Sequence, residues 1–304
     1  MNKEKVKIVE VGARDGLQNE KTIISLSDKL KFITLLCETG LQTVEVTSFV
    51  NPAAIPQMAD AEQLFTLVKK NLRSKKINFP CLVPNVQGYE VAKKIGVEEI
   101  ALFSSTSDSF SKKNVNASVD ETFKRMEEVA ILAQRDNIKI RGYISTAFGC
   151  PYEGRIDLKK LMNVTERFMQ LGVYEVSVGD TIGVATPGQV RESLKLLKKE
   201  FSLDKIAMHF HDTRGMALTN IHVSVEEGIR TFDSSAAGLG GCPYAKGATG
   251  NVATEDVWYL LESLGFETGI DISKLAFASE FILECLKKKT ESKFLRAYLS
   301  TGKT

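Results

Sequence analysis

The chain is short of histidine. It has three in 304 residues, His209, His211 and His222, and a single tryptophan. That disfavours a barrel metallohydrolase, which needs more imidazole ligands than this. Cysteine is sparse too: Cys37, Cys81, Cys150, Cys242 and Cys285 are odd in number, widely spaced and without a CxxC pair. This argues for free thiols in a reducing compartment rather than a disulfide frame. Neither sign of charge dominates, with 40 basic residues against 38 acidic and a net charge of +2. No surface for nucleic acid is expected, and basic clusters such as Lys287 to Lys289 read as solvated helix ends. There is no run of 18 apolar residues, so no membrane span is expected. The N-terminal MNKEKVKIVEVGARDG carries neither an apolar leader nor an Arg/Ser-rich transit pattern, and a cytoplasmic location is expected. No GxGxxG opens the first strand–helix turn, which weakens a dinucleotide-binding fold.

What the chain does contain is a repeat. GLQTVEVTS from Gly40, GVEEIALFS from Gly96, GVYEVSVGD from Gly172 and GIRTFDSSA from Gly228 each follow an amphipathic, helix-like stretch. Each glycine is placed to end that helix in the left-handed conformation, and a short β-branched strand comes next. Between these units lie INFPCLV, IKIRGYIS and KIAMHFH, and VKIVEVG precedes them all. Eight strands alternating with helices imply parallel pairing, and at this length a (β/α)8 TIM barrel of the α/β class over residues 1–265. Residues 266–304 are expected to form a C-terminal helical extension with a loose tail. Helix-to-strand connections are short, whereas several strand-to-helix loops are long, and these gather at the C-terminal mouth of such a barrel.

Strand alternation assigns the faces. Val44, Val46, Ile100, Leu102, Val176, Val178, Ile206, Met208 and Phe210 should pack outward on the helices. Glu45, Thr47, Ala101, Phe103, Ser177, Gly179, Ala207, His209, His211, Asp233 and Ser235 should then face the interior. Buried charges there cost several kcal/mol unless paired or bound to metal. His209 and His211, at i and i+2 on one face, can both reach a single cation. His222 belongs to the next helix and is assigned no role. Asp15, in ARDGLQNE after the first strand, is either a hard-oxygen ligand or part of an Asp-Gly turn, with Arg14 beside it as a donor to an anionic oxygen. Glu45 either holds Arg14 or forms a purely structural ion pair. Asp180 either supports the site or caps a helix. AGLGGCPYAKGATGN carries five glycines, a backbone able to approach a ligand closely. Cys242 at its centre is inert or a proton carrier, and Asn251 at its end is a neutral ligand or a helix cap.

Taken together, VGARDGLQNEK, VEVTSFVNP, GCPYEG, HFHDTRGMAL and AGLGGCPYAKGATGN resemble the DRE-TIM metallolyase family, on its hydroxymethylglutaryl-CoA lyase branch. The likeness covers almost the whole barrel. RDGLQNE and HxHD belong to the wider family and the cysteine-bearing glycine loop to the lyases. Ala236, where that pattern often has Val, is a small departure, and the chain lacks the C-terminal cysteine some animal lyases carry, so thiol regulation there is not expected. The resemblance implies a divalent cation, Mg2+ or Mn2+, on Asp15, His209, His211 and Asn251. It implies that Arg14 polarises the acyl oxygen, Glu45 positions it, Cys242 moves a proton and Asp180 belongs to the active-site set. Arg14, Gln18, Ser48 and Ser177 are the expected substrate contacts. The partners implied are an acyl-CoA substrate and a second copy of the chain. The alternatives are a Claisen-condensing synthase on the same barrel and a CoA- or metal-binding barrel without catalysis.

Overall fold

The computed structural model describes residues 3–72, 76–241 and 250–301. Eight parallel strands form the barrel: β1 (Lys7–Glu10), β2 (Thr43–Val44, resuming as Thr47–Ser48), β3 (Cys81–Leu82), β4 (Glu99–Ser105), β5 (Lys139–Ser145), β6 (Glu175–Asp180), β7 (Ile206–Phe210) and β8 (Thr231–Ser234). The hydrogen-bonded order runs β2-β1-β8-β7-β6-β5-β4-β3 and returns to β2. Closure rests on β2 itself, whose first piece pairs with β1 and whose second pairs with β3. The glycines that open the repeat take positive φ as expected: +98° at Gly40, +81° at Gly96, +73° at Gly172 and +107° at Gly228.

The outer helices form where apolar residues recur at helical spacing. Val119–Arg135 is representative: Ser118 and Glu121 close a capping box at its start. Phe123, Met126, Val129, Ala130 and Ala133 make its buried stripe, each large side chain contributing about 1.5–3 kcal/mol. As the alternation requires, Val44, Ile100, Leu102, Val176, Val178, Ile206, Met208 and Phe210 lie in the core between sheet and helices. Leu82, Ala101, Phe103 and Tyr143 form a separate apolar cluster inside the barrel.

Strand β2 departs from the expected alternation. Thr43 pairs with Asn78, yet Thr47 pairs with Cys81, so β2 spends one residue more than β3 over the same span. The Val44 and Val46 amides still donate in step to the Asn78 and Pro80 carbonyls, so the extra residue falls at Val46–Thr47, a β-bulge that flips the parity beyond it. Thr47 therefore does not face the interior: its hydroxyl reaches the Met58 sulfur at 3.5 Å, in the outer core. Ser48 takes the inward place instead.

The C-terminal segment contributes two helices. Ile272–Leu286 buries Leu275, Ala278, Ile282 and Leu286 in the same core as the barrel helices. Lys293–Ser300 is a further helix, fixed where the Asp256 carboxylate accepts from the Ser292 hydroxyl and the Phe294 amide at 2.8 and 2.7 Å.

Two buried carboxylates tie the mouth loops together. Glu10 accepts from the Gly12 and Ala236 amides at 2.7 and 2.9 Å and from the Thr254 hydroxyl at 2.6 Å. Glu255 accepts from the Ala237 amide at 3.0 Å and from the Ser279 hydroxyl. Burial pushes Glu10 up to about 7 and Glu255 up to about 8, their hydrogen bonds offsetting only part of it. A carboxyl whose folded pKa lies above its unfolded value contributes stability at low pH that is lost as the pH climbs through the folded pKa. The unfolding free energy in urea should therefore fall for the native chain relative to Glu255→Gln by ~1.4 kcal/mol per pH unit between the ordinary carboxylate range and about 8. Parallel pH curves for the two proteins would mean that Glu255 is already ionised in the fold.

Candidate active site at the barrel mouth

A cavity of about 440 Å³ opens at the C-terminal end of the strands. Leu82, Phe103 and Tyr143 form its apolar floor, and the loops after β2, β4 and β8 contribute Ile55, Phe110 and Gly241 to its wall. The long strand-to-helix loops thus gather where they were expected.

After β1 the segment Gly12–Gly16 winds as one π-helical turn, the Gly16 amide donating to the Val11 carbonyl at 3.1 Å. Such turns set adjacent side chains onto a functional face. Arg14 and Asp15 emerge from it together, with Arg14 Nη1 donating to Asp15 Oδ1 at 2.6 Å. Arg14 also grips Glu45 through Nε at 2.8 Å and Nη2 at 2.7 Å, and stacks over the Tyr143 ring at 5.4 Å. Glu45 is fully buried and its second oxygen, Oε1, has no hydrogen-bond partner. Burial raises the Glu45 pKa, the neighbouring guanidinium offsetting only part of the cost.

His209 and His211 reach the cavity from β7 and just beyond it, ring centroids 5.3 Å apart. His209 Nδ1 lies 3.3 Å from Asp233 Oδ2. His211 Nδ1 is buried without a partner. The chain returning from the β8 loop pairs antiparallel with the end of β7: Val252 donates to the Phe210 carbonyl and Asp212 to that of Gly250. This pairing delivers Asn251 to the same place, where its Nδ2 donates to Asp15 Oδ2 at 2.8 Å and its Oδ1 is left without a partner. The neck of the loop is made by Gly240 and Gly250, with φ of +128° and +90°. A Cβ on Gly250 would stand 2.5 Å from the Gly240 carbonyl carbon.

One ligand atom each from Asp15, His209 and His211 lies within 4.8 Å of the others. Burial would raise the Asp15 pKa, but Arg14 and the two imidazoles pull it down to about 2. For His211, burial and the neighbouring His209 push the pKa down to about 4, so the ring is neutral at pH 7. Burial works the same way on His209, but the bond to Asp233 and the negative charges of Asp233 and Asp15 together outweigh it, and the pKa is raised. A carboxylate, two imidazoles and an orphaned amide oxygen suit a divalent cation that takes mixed oxygen and nitrogen ligands.

The remaining expected residues fall differently. Gln18 lines the cavity, its amide 3.5 Å from Asp15 Oδ1. Ser177 also lines it, though its hydroxyl donates to Asp233 at 2.7 Å. Ser48 pairs beside Leu82 and is buried, its hydroxyl without a partner. Asp180 is not brought into the cavity: its two oxygens accept from the Val184 and Ala185 amides at 2.9 Å, closing the loop after β6. Nor does it cap the next helix, whose N-cap is Thr186. Burial pushes it up to about 6. Asn251 caps no helix either, that place being taken by Ala253. Cys242 lies outside the described residues. Arg141 and Tyr143 were not anticipated, although an arginine in the middle of the apolar strand IKIRGYIS was the available signal.

The HMGL-like family model matches residues 5–282. Among curated proteins, the mitochondrial hydroxymethylglutaryl-CoA lyase of Homo sapiens is 48% identical over 97% of this chain and 90% of its own length. A cytoplasmic 3-hydroxy-3-methylglutaryl-CoA lyase of Danio rerio is 47% identical over 96% of this chain and 86% of its own. Among solved structures, a hydroxymethylglutaryl-CoA lyase of Pseudomonas aeruginosa superposes with a TM-score of 0.95 at 44% identity, covering 99% of this chain and all of that one. An HMG-CoA lyase of Acinetobacter baumannii, in complex with coenzyme A and 3-methylmalate, gives 0.91 at 34% identity over 96% and 95%.

Proposed function

The chain belongs to the hydroxymethylglutaryl-CoA lyase family of carbon–carbon lyases, and we propose on that premise that its barrel mouth cleaves 3-hydroxy-3-methylglutaryl-CoA to acetyl-CoA and acetoacetate with the help of Mg2+ or Mn2+. The observation that carries this reading is the convergence of Asp15, His209 and His211 beside Arg14 in one cavity. Asp15, His209, His211 and Asn251 would hold the cation. When bound, it supplies Lewis-acid polarisation that acidifies the substrate's tertiary hydroxyl.

The chain's own residues supply the rest. A base takes the hydroxyl proton, the alkoxide collapses to the ketone carbonyl of acetoacetate as the C2–C3 bond breaks, and the electron pair of that bond becomes the enolate of the acetyl thioester. Arg14, held in place by Glu45, donates to that thioester oxygen as its charge develops, a contribution of about 3 kcal/mol. Cys242 is assigned as the acid that returns a proton to the enolate carbon. Leu82, Phe103 and Tyr143 offer the substrate's methyl group an apolar floor and keep water from the enolate. Gln18, Ser48 and Ser177 are assigned to the polar part of the acyl group. Asp180 acts on this reading through the loop it closes.

A homodimer in the cytoplasm completes the proposal. It is supported by the family resemblance and by relatives of which some are named cytoplasmic. Among the described residues no helix is long and apolar enough to cross a membrane. The condensing-synthase alternative loses ground to lyase relatives that span nearly the whole chain.

The test is acetoacetate release by purified protein from a panel of acyl-CoA thioesters. The expected result is cleavage of the hydroxymethylglutaryl thioester, abolished by EDTA and restored by Mg2+ or Mn2+. Turnover that survives chelation, or an absence of acetoacetate with metal present, would sink the reading.

A further inference from the structure

The barrel interior below the cavity is occupied by charge. Arg141 is completely buried, between Ile140 and Gly142 on β5. Its Nε donates to Glu175 at 2.8 Å and its Nη1 to the Tyr143 hydroxyl at 2.9 Å. Nη2 and Nη1 clasp the two oxygens of Asp233 at 2.8 and 3.1 Å. Glu175 is also held by Lys7 at 3.1 Å, and Asp233 accepts from Ser177 at 2.7 Å. Lys7, Glu175, Arg141, Asp233 and His209 thus form a continuous ladder of alternating charge from the start of the strands to the mouth.

Stability alone does not explain this ladder. A buried ion network breaks even at best against well-packed apolar side chains. Its upper end does something that apolar packing does not. An ionised Asp233 can only accept, so His209 Nδ1 must carry the proton, and Nε2 is left as the lone pair available on the other side of the ring. The two-point clasp of Arg141 fixes the plane of the Asp233 carboxylate. With that clasp gone, only the Ser177 hydroxyl still holds the carboxylate, on one oxygen, and the carboxylate can pivot about that bond and take the ring with it.

We propose that Arg141 is a positioning residue for the cation site: through Asp233 it sets the Nδ1–H tautomer and the ring orientation of His209, so that Nε2 is presented toward Asp15 and His211. This rests on reading the three-residue cluster as a cation site.

Two measurements test it without relying on turnover. With only three histidines, ¹⁵N-histidine spectra of the metal-free protein at alkaline pH, where the rings are neutral, resolve the tautomer of each. Titration calorimetry with Mn2+ alone gives affinity. The native chain should show His209 as the Nδ1–H tautomer. Arg141→Met should mix the tautomers and weaken Mn2+ about 10- to 100-fold. Asp233→Asn, which turns an amide donor toward the ring, should shift His209 to the Nε2–H form and weaken Mn2+ at least as much. If Arg141→Met does not fold, Arg141→Lys serves in its place, because it keeps the charge and loses the clasp. A folded Arg141 variant with the native tautomer and an Mn2+ affinity within twofold of native overturns the proposal. A native chain that binds no Mn2+ overturns the cation reading instead, and the spectra still decide whether Arg141 sets the tautomer.

Discussion

His211→Ala should lower kcat/KM for acetoacetate release by about 10³-fold or more, at saturating Mg2+ and with the barrel still folded. His211 brings an imidazole to the cavity whose Nδ1 is buried without any partner. A buried polar atom in that state costs about 1–3 kcal/mol unless something outside the protein completes it. Its neighbours on the cavity side are a carboxylate and a second imidazole, all within 4.8 Å. On the proposed reading, removing the ring takes away one of the two nitrogen ligands of the cation, and the lost polarisation of the substrate hydroxyl is worth several kcal/mol, at about 1.4 kcal/mol per tenfold in rate. Stability should move the other way or hardly at all, because the variant deletes an unsatisfied atom at the edge of a cavity. Circular dichroism and urea unfolding check the fold, and steady-state kinetics across a Mg2+ titration check the rate. A variant that keeps a tenth of the native kcat/KM at any Mg2+ concentration would remove His211 from the ligand set.

Much of this site could be read from the chain because its parts obey local rules. Glycine ends helices for a reason any one position reveals, and strand alternation turns His209 and His211 inward whatever lies around them. What could not be read depends on register and on partners distant in sequence. The bulge at Val46–Thr47 leaves no mark in composition, yet it exchanges the facing of Thr47 and Ser48. Asp233 was legible as an inward charge, but its partner Arg141 sits 92 residues away, and only barrel closure brings them to 2.8 Å. Asp180 shows the converse. Its place at a strand's mouth end was legible, whereas the two backbone amides that the loop after β6 turns back onto it were not. The antiparallel return of the β8 loop onto β7, which delivers Asn251, is likewise a tertiary event with no local signature.

Arg14→Met separates chemistry from structure at the other half of the site. The guanidinium bonds two carboxylates at once, Glu45 at 2.7–2.8 Å and Asp15 at 2.6 Å, and it faces the cavity. Its removal has two consequences of different origin. The thioester oxygen loses a charged donor in the transition state, which should lower kcat by about 10²–10³-fold. Glu45, fully buried, loses its counter-charge, and breaking a buried pair from one side costs about 3–5 kcal/mol of stability. The double variant Arg14→Met/Glu45→Gln tells them apart. Neutralising the orphaned carboxylate should recover most of the stability in urea unfolding, while kcat stays at the level of Arg14→Met. Arg14→Lys should be nearly as slow as Arg14→Met, because a single ammonium cannot hold Glu45 and Asp15 and still offer a directed donor to substrate. If the double variant regains rate together with stability, Arg14 serves the fold alone, and the donor to the enolate oxygen must be sought elsewhere in the cavity.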